Sequence, residues 1–231
     1  MLQTLGILAV MATLADCNCL LENQLAGDLM RDYNKNVIPT TEKRPVVKVE
    51  HSLSAIKILK FEHDELQLGT WELMMWTDER LKWDPTHYNN VNKTHILYDQ
   101  IWIPDIVTYN FDVPDHESHM ENLRVVATNI GLVTFYPASI TTFRCKVSTS
   151  GEEIYTCYVK IGSWVYSGNK MDITNTGGVL DLSDMIEDDD WTITNSTVTH
   201  QVARYDCCPD PYPTLTYMLE LKPKHHRRHC K

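Results

Sequence analysis

The sequence has 231 residues, which is enough for one large all-β domain or for two small domains. Its content of 43% hydrophobic and 23% charged residues is typical of a soluble globular protein. The formal net charge of −10 argues against nucleic acid as a partner and favours small cations electrostatically.

Residues 1–15 have the pattern of a secretory signal peptide. An apolar run from Leu5 to Leu14 is too short to span a bilayer, and Ala15 ends a small-residue cleavage site. No Lys or Arg precedes this run, so the start of a buried helix is the alternative interpretation. No later segment holds about 18 consecutive apolar residues, so we expect a secreted, extracellular chain without a membrane span, with a mature part of residues 16–231.

Two N-glycosylation triplets, beginning at Asn92 and Asn195, and seven cysteines agree with export. Most cysteines of an exported chain are oxidised. Eleven residues separate Cys145 from Cys157, and closing that loop is worth about 3 kcal/mol on the chain-entropy model. An odd set of three others remains: Cys17, Cys19 and Cys230. At least one of these is free, paired between chains or removed with the signal.

The mature chain is predicted to begin with a helix and continue as strands. Residues Leu20 to Asn34 show an apolar stripe at helical spacing, and Pro39 prevents continuation. From Val46 the period changes to two, and a change of phase at Ile56 predicts a long strand with a bulge. The stripe consists of Leu21, Leu25, Leu29 and Tyr33.

A second strand runs from Trp71 to Trp76, and alternation puts these two tryptophans on opposite faces. Further short strands are separated by turn signals, a spacing that predicts a β-sandwich in a single domain. These strands are Ile96–Tyr98, Val107–Asn110, Leu123–Ala127, Leu132–Tyr136, Ile154–Trp164, Trp191–Thr199 and Leu215–Leu221. We expect the sandwich to span residues 46–222.

No pattern of catalytic chemistry is present, so we expect neither an enzyme nor a cofactor or metal site. The sequence has no phosphate-binding glycine loop, no His-Glu-x-x-His and no nucleophile elbow. Its histidines have no regular ligand spacing, and the acidic run Glu187–Asp190 is interpreted as a solvated loop. The His-rich end, residues 225–230, is interpreted as a disordered basic terminus.

Aromatic residues stand beside several loop signals: Tyr109, Trp164, Tyr205 and Tyr212. An aromatic face attracts a desolvated cation by about 2 kcal/mol, so converging rings could bind a quaternary ammonium. The alternative is that each ring belongs to the core of the sandwich. Tyr205 and Tyr212 flank Cys207-Cys208; these cysteines either pair with each other, which stiffens a loop tip, or pair elsewhere.

Five motifs, given in chain order below, are typical of one family. With them the chain resembles the ligand-binding domain of the pentameric Cys-loop receptors, in particular the nicotinic receptors, and the soluble acetylcholine-binding homologues of that domain. The match covers about Leu20 to Leu221. The motifs are Trp71…Trp76-Thr77-Asp78…Leu81-x-Trp83, Trp102-x-Pro104-Asp105-Ile106, the Cys145–Cys157 loop, Gly162-Ser163-Trp164 and Tyr205-x-Cys207-Cys208…Tyr212.

The resemblance implies an N-terminal α-helix followed by a ten-stranded immunoglobulin-like β-sandwich, assembled as a homopentamer that binds acetylcholine, nicotine and related ammonium ligands between subunits. It implies disulfides Cys145–Cys157 and Cys207–Cys208, and structural roles for Trp76 and Trp83. The principal face would consist of Tyr109, Trp164, Tyr205, Cys207, Cys208 and Tyr212. The complementary face would come from the next subunit and consist of Trp71, Arg124, Thr134 and Tyr136.

Three departures from the family pattern bear on function. The loop of residues 146–156 is hydrophilic and lacks the receptors' Phe-Pro-Phe-Asp core, which favours a soluble protein over a channel subunit. Thr214 replaces the usual aspartate, which puts a charge network through Lys160 in doubt, and Thr134 and Tyr136 differ from common family residues. The alternatives are the extracellular domain of a ligand-gated channel and a structural or adhesion β-sandwich.

Overall fold

The computed structural model describes residues 21–110, 122–148, 153–206 and 208–224. Within these ranges the chain has one α-helix, α1 (residues 21–30), and eleven strands. The strands are β1 (Val47–Glu62), β2 (Glu65–Lys82), β3 (Lys93–Leu97), β4 (Ile106–Thr108), β5 (Arg124–Thr128), β6 (Ile130–Phe135), β7 (Ala138–Val147), β8 (Tyr155–Ser163), β9 (Met171–Thr174), β10 (Trp191–Tyr205) and β11 (Cys208–Pro223). The expected mainly β fold with a leading helix is confirmed, with eleven described strands rather than ten. The predicted signal segment and the predictions for Cys17, Cys19, Cys207 and Cys230 lie outside the described residues.

Helix α1 buries the middle of the expected stripe and is shorter than the sequence indicates. Leu25 and Leu29 are buried, whereas the helix ends at residue 30 rather than at Asn34. The Tyr33 amide donates to the Met30 carbonyl at 3.4 Å, which closes a final tight turn. The Tyr33 hydroxyl donates to Asp78 Oδ2 at 2.5 Å, so this residue is held by a tertiary contact rather than by the helix.

The contacts of the described residues divide the chain into two compact units, and the first comprises residues 21–39, 77–103 and 122–134. Its strands are ordered β2-β6-β5-β3, with the last residues of β2 on this side. Asp78 is fully buried and accepts hydrogen bonds from Tyr33 and from Arg80, whose Nη2 lies 2.7 Å from Oδ2. A buried carboxylate is tolerated because a charged partner and hydrogen bonds compensate its lost hydration.

The described residues of the second unit are 40–76, 104–110, 135–148, 153–206 and 208–224. Its strands follow the order β10-β11-β8-β7-β2-β1-β9, with β4 beside β8. The core lies between β1 and β11, since Leu53 and Ala55 belong to the same buried cluster as Leu215 and Tyr217. The continuous sheet thus folds over so that β1 and β11 face each other across the core, as the two layers of a β-sandwich do.

Both predictions about side-chain alternation are confirmed. In β1 the pairing register shifts between Ala55 and Lys57, and burial changes phase there, as expected for a bulge at Ile56. In β2 Trp71 is 52% exposed whereas Trp76 is 1% exposed. The two rings therefore serve different environments, one at the surface and one in the core.

The predicted Cys145–Cys157 disulfide is present and joins β7 to β8, where the two residues are register partners with Cα atoms 3.9 Å apart. The sequence prediction missed β7, because Thr141, Thr142 and Phe143 are buried in succession and give no alternation. It also missed β9, which has only four residues. In the described ranges no helix is long and apolar enough to cross a membrane.

Candidate functional site

Four aromatic side chains from three separate parts of the sequence converge in the second unit. The ring centroids of Tyr109 and Trp164 are 6.5 Å apart, and those of Tyr205 and Tyr212 are 5.7 Å apart, both pairs edge to face. Burial, together with electrostatic repulsion from the nearby Tyr205, Asp105 and Tyr212, raises the pKa of the Tyr109 hydroxyl to about 12. We call these four residues the aromatic cluster.

The pairing of β4 with β8 brings the first two rings together. The strands are antiparallel with Ile106 opposite Ser163, so Trp164 lies beside Asp105 at one end of the pairing and Tyr109 follows β4 at the other. The Tyr109 side chain crosses Gly162 toward Ser163 and so approaches Trp164. The Tyr109 amide donates to the Lys160 carbonyl at 2.7 Å, and its hydroxyl donates to the Ser163 carbonyl. The tyrosine is thereby fixed at both ends.

Gly162 permits the close approach of Tyr109 to β8. A Cβ at Gly162 would lie 2.8 Å from Tyr109 Oη, 3.0 Å from Cζ and 3.1 Å from the Pro213 carbonyl oxygen. These separations are too short for a carbon atom, so a side chain there requires the ring to move.

Asp105 holds the turn that presents Trp164. Its carboxylate accepts from Ser163 Oγ at 2.6 Å and from the Val165 amide at 2.7 Å, and its carbonyl accepts from the Trp164 amide at 3.1 Å. With its backbone held, the Trp164 side chain stands 72% exposed. The sequence prediction gave Asp105 no such role, because its partners lie 58 and 60 residues away and only the Pro-Asp signal is local.

The β10–β11 hairpin contributes the other two rings. Tyr205 is the register partner of Cys208, and Tyr212 is the partner of Ala203. Cys208 is disulfide-bonded, and its expected partner, Cys207, lies outside the described residues. The Gly168 amide donates to the Pro211 carbonyl at 2.7 Å, which ties the hairpin to the segment after Trp164.

Lys160 and Thr214, the two positions of the charge network that the sequence puts in doubt, make separate contacts. Lys160 Nζ lies 5.9 Å from the centre of the Tyr109 ring. Thr214 is fully buried, and its hydroxyl donates to the Gln201 carbonyl at 3.3 Å. Thr214 thus serves the β10–β11 pairing.

The residues expected on the complementary face do not join the aromatic cluster. Trp71 (52% exposed) and Tyr136 (60% exposed) line a separate cleft of about 770 Å³ in the second unit. We call it the Trp71 cleft. Arg124, exposed at the start of β5, and Thr134, half-buried in β6, belong to the first unit.

The remaining predicted positions are the two glycosylation acceptors and Trp83. Asn92 and Asn195 are exposed. The Trp83 indole donates to the Val91 carbonyl at 2.7 Å. Among the described residues, no group of three or more His, Cys, Asp or Glu side chains could hold a metal ion.

Comparisons with known proteins show the family of the chain. A family model described as "Neurotransmitter-gated ion-channel ligand binding domain" matches residues 22–225. The chain is 35% identical over 203 residues to the human neuronal acetylcholine receptor subunit alpha-9, covering 86% of this chain and 42% of the subunit. It is 30% identical over 206 residues to the Caenorhabditis elegans acetylcholine receptor subunit alpha-type acr-16, covering 87% of this chain and 41% of that subunit.

The fold also matches a solved structure, the Capitella teleta AChBP in complex with lobeline. The TM-score is 0.78 at 23% identity, covering 89% of this chain and 99% of that chain. The present chain spans about two fifths of the length of the receptor subunits it matches. From the extent of the family match, this chain belongs to the neurotransmitter-gated ion-channel ligand-binding domain family.

Proposed function

We propose that this chain is a secreted, extracellular, non-enzymatic binding protein for acetylcholine, nicotine and related ammonium ligands. The observation that carries the proposal is the convergence of Tyr109, Trp164, Tyr205 and Tyr212, with Trp164 72% exposed. A large aromatic side chain held at the surface by three hydrogen bonds to Asp105 is suited to contact a ligand.

The aromatic cluster has the chemistry of a cation site. A ring face attracts a desolvated ammonium by about 2 kcal/mol, and four rings would supply about 8 kcal/mol. That is the binding free energy of a micromolar complex, before ordering costs are subtracted. The Trp164 carbonyl could also accept a hydrogen bond from a ligand that carries an N–H.

The ligand would lie at an interface in a homopentamer, with Trp71, Arg124, Thr134 and Tyr136 contributed by the next subunit. Support comes from the exposure of Trp71 and Tyr136, which are unusually accessible for large aromatic side chains. The name of the Capitella protein and its complex with lobeline also favour an ammonium ligand.

A second candidate is the extracellular domain of a ligand-gated channel subunit. The observation that favours it is that the matching relatives are receptor subunits more than twice as long as the matched region. The hydrophilic loop of residues 146–156 favours the soluble protein instead. A transcript that continues into four apolar segments would decide for the channel, whereas a stop codon after Lys231 would decide for the soluble protein.

The test is isothermal titration calorimetry of the secreted protein with acetylcholine and with nicotine. Light scattering of the same protein gives the mass of the particle. We expect saturable binding to a particle of about five chains. Trp164→Ala should weaken acetylcholine binding at least about 30-fold, the equivalent of one 2 kcal/mol ring contact. Val165→Ala is the matched control, because Val165 is the exposed neighbour on the same turn. A Trp164→Ala protein with the affinity of the control would refute the site.

A further inference from the structure

Residues 177 and 179–182 line one part of the Trp71 cleft, which we call the cleft floor. Residues 177–182 bridge two strands: the Ala55 amide donates to the Asp181 carbonyl at 2.8 Å, and the Val198 amide donates to the Gly178 carbonyl at 2.8 Å. Backbone hydrogen bonds on both sides hold the segment between β1 and β10. The cleft is therefore part of the folded unit and suited to hold a ligand in one place.

One wall of the cleft carries a glycosylation acceptor. Asn195 lines the cleft and is exposed on β10, next to a register shift that begins at Ile193. The following residue, Ser196, donates its hydroxyl to the Leu180 carbonyl at 3.2 Å. Asn195 thus lies on the strand beside the cleft floor, and Thr197 completes the Asn-x-Thr triplet.

The lining of the cleft matches the chemistry of a sugar. Trp71 and Tyr136 offer exposed ring surface, on which the apolar C–H face of a pyranose can pack. Glu72 and Asp181 are carboxylates, which act as hydrogen-bond acceptors for hydroxyl groups. The described residues that line the cleft include no Lys, Arg or His.

We propose that an N-linked glycan on Asn195 packs its inner sugars into the Trp71 cleft, against Trp71 and Tyr136. An organic cation is the competing occupant, since the lining includes two carboxylates. The glycan is favoured because it is attached to the cleft wall. A short tether gives an effective concentration in the millimolar range, so even weak sugar–ring contacts are populated.

Covering Trp71 would regulate ligand binding, a consequence that rests on the proposed function. The glycan would compete with an approaching ligand for the ring surface of Trp71. Removing it is expected to strengthen acetylcholine binding, whereas removing a glycan from Asn92, in the other unit, should not.

The test compares two substitutions at one exposed position. Thr197→Ala removes the acceptor triplet, while Thr197→Ser keeps it, and Asn92→Gln removes the other triplet as a control. The full chain is secreted from a glycosylating host, and intact mass gives glycan occupancy. Oxidative labelling followed by peptide mass spectrometry, without ligand, measures the accessibility of Trp71, with the half-buried Trp83 of the other unit as the internal reference.

We expect Trp71 to be labelled several-fold less in the wild type, Thr197→Ser and Asn92→Gln than in Thr197→Ala, with Trp83 labelled equally in all four. Enzymatic removal of the glycan from the folded wild type should give the same increase and serves as a second comparison if Thr197→Ala is poorly secreted. Absence of a glycan at Asn195 overturns the proposal. Equal labelling of Trp71 with and without that glycan also overturns it.

An acetylcholine titration of the same proteins separates the two proposals. If Trp71 labelling differs as expected but no variant binds acetylcholine, the packing of the glycan stands and the proposed function fails. If every variant binds acetylcholine and the labelling does not differ, the proposed function stands and the glycan proposal fails.

Discussion

Gly162→Ala tests whether the aromatic cluster depends on the close approach of Tyr109 to β8. The added Cβ would lie 2.8 Å from Tyr109 Oη and 3.1 Å from the Pro213 carbonyl oxygen. The carbonyl belongs to the backbone of β11 and cannot move freely, so the tyrosine ring must shift. A shift also removes the hydrogen bond from Tyr109 to the Ser163 carbonyl.

The expected cost follows from these contacts. Overpacking of this kind destabilises a protein by about 1–3 kcal/mol, and a lost hydrogen bond adds about 1 kcal/mol. For a chain of this size each kcal/mol lowers Tm by about 2–4 °C, so we expect a decrease of about 4–16 °C. Acetylcholine affinity should fall by up to about 30-fold, if the shift removes the contact of one ring.

Gly27→Ala is the matched control for this substitution. Gly27 lies on α1, and a Cβ there meets nothing within 4 Å. Replacing glycine by alanine in an open helix position should stabilise the protein by about 0.5–1 kcal/mol. The same chemical change is therefore expected to have opposite effects on Tm at the two positions.

Thermal unfolding and acetylcholine titration of both variants provide the assay. A double-mutant cycle adds Tyr109→Phe, which removes the atom closest to the new Cβ and should reduce the cost of Gly162→Ala. An unchanged Tm and affinity in Gly162→Ala, or a cost that is the same in the Tyr109→Phe background, would refute the reasoning.

Two further predictions concern tyrosine hydroxyls. The pKa of Tyr109 is raised to about 12 in the folded protein, so folding favours the protonated hydroxyl. The stability that this hydroxyl contributes is therefore complete below about pH 10 and is lost as the pH rises towards 12. Urea unfolding at several pH values should show a smaller loss over this range in Tyr109→Phe. Tyr33→Phe should lower the free energy of unfolding by about 1–3 kcal/mol, because the hydroxyl donates to buried Asp78 and accepts from the Trp102 amide at 3.1 Å. Tyr88→Phe, which removes the hydrogen bond from the Tyr88 hydroxyl to Asp28 Oδ2 at 2.9 Å, should cost less because Asp28 is not fully buried as Asp78 is.

Each of these predictions has a clear contrary outcome. An equal loss of stability between pH 10 and 12 in the wild type and in Tyr109→Phe would show that this hydroxyl is not the group that titrates. Equal unfolding free energies for Tyr33→Phe and Tyr88→Phe would show that the hydrogen bonds around Asp78 contribute little.

Strand β2 shows how much of the structure the alternation of side chains in the sequence can predict. Alternation along the strand is enough to separate Trp71 from Trp76, and the same parity puts Asp78 on the buried side with Trp76. The pattern does not reveal which groups compensate a buried carboxylate. Arg80 is only two residues away, but Tyr33 is 45 residues away, and no sequence period connects it to Asp78.

The sequence by itself determined the mainly β fold, the bulge in β1, the two environments of the tryptophans and the family. These features follow from side-chain period and from motifs, which are local properties of the chain. Only the tertiary structure decided that Tyr109, Trp164, Tyr205 and Tyr212 converge, and that Asn195 and Trp71 line the same cleft. Convergence depends on strand pairing across long stretches of sequence, and the free energy of that pairing comes from the whole core rather than from the residues at the site.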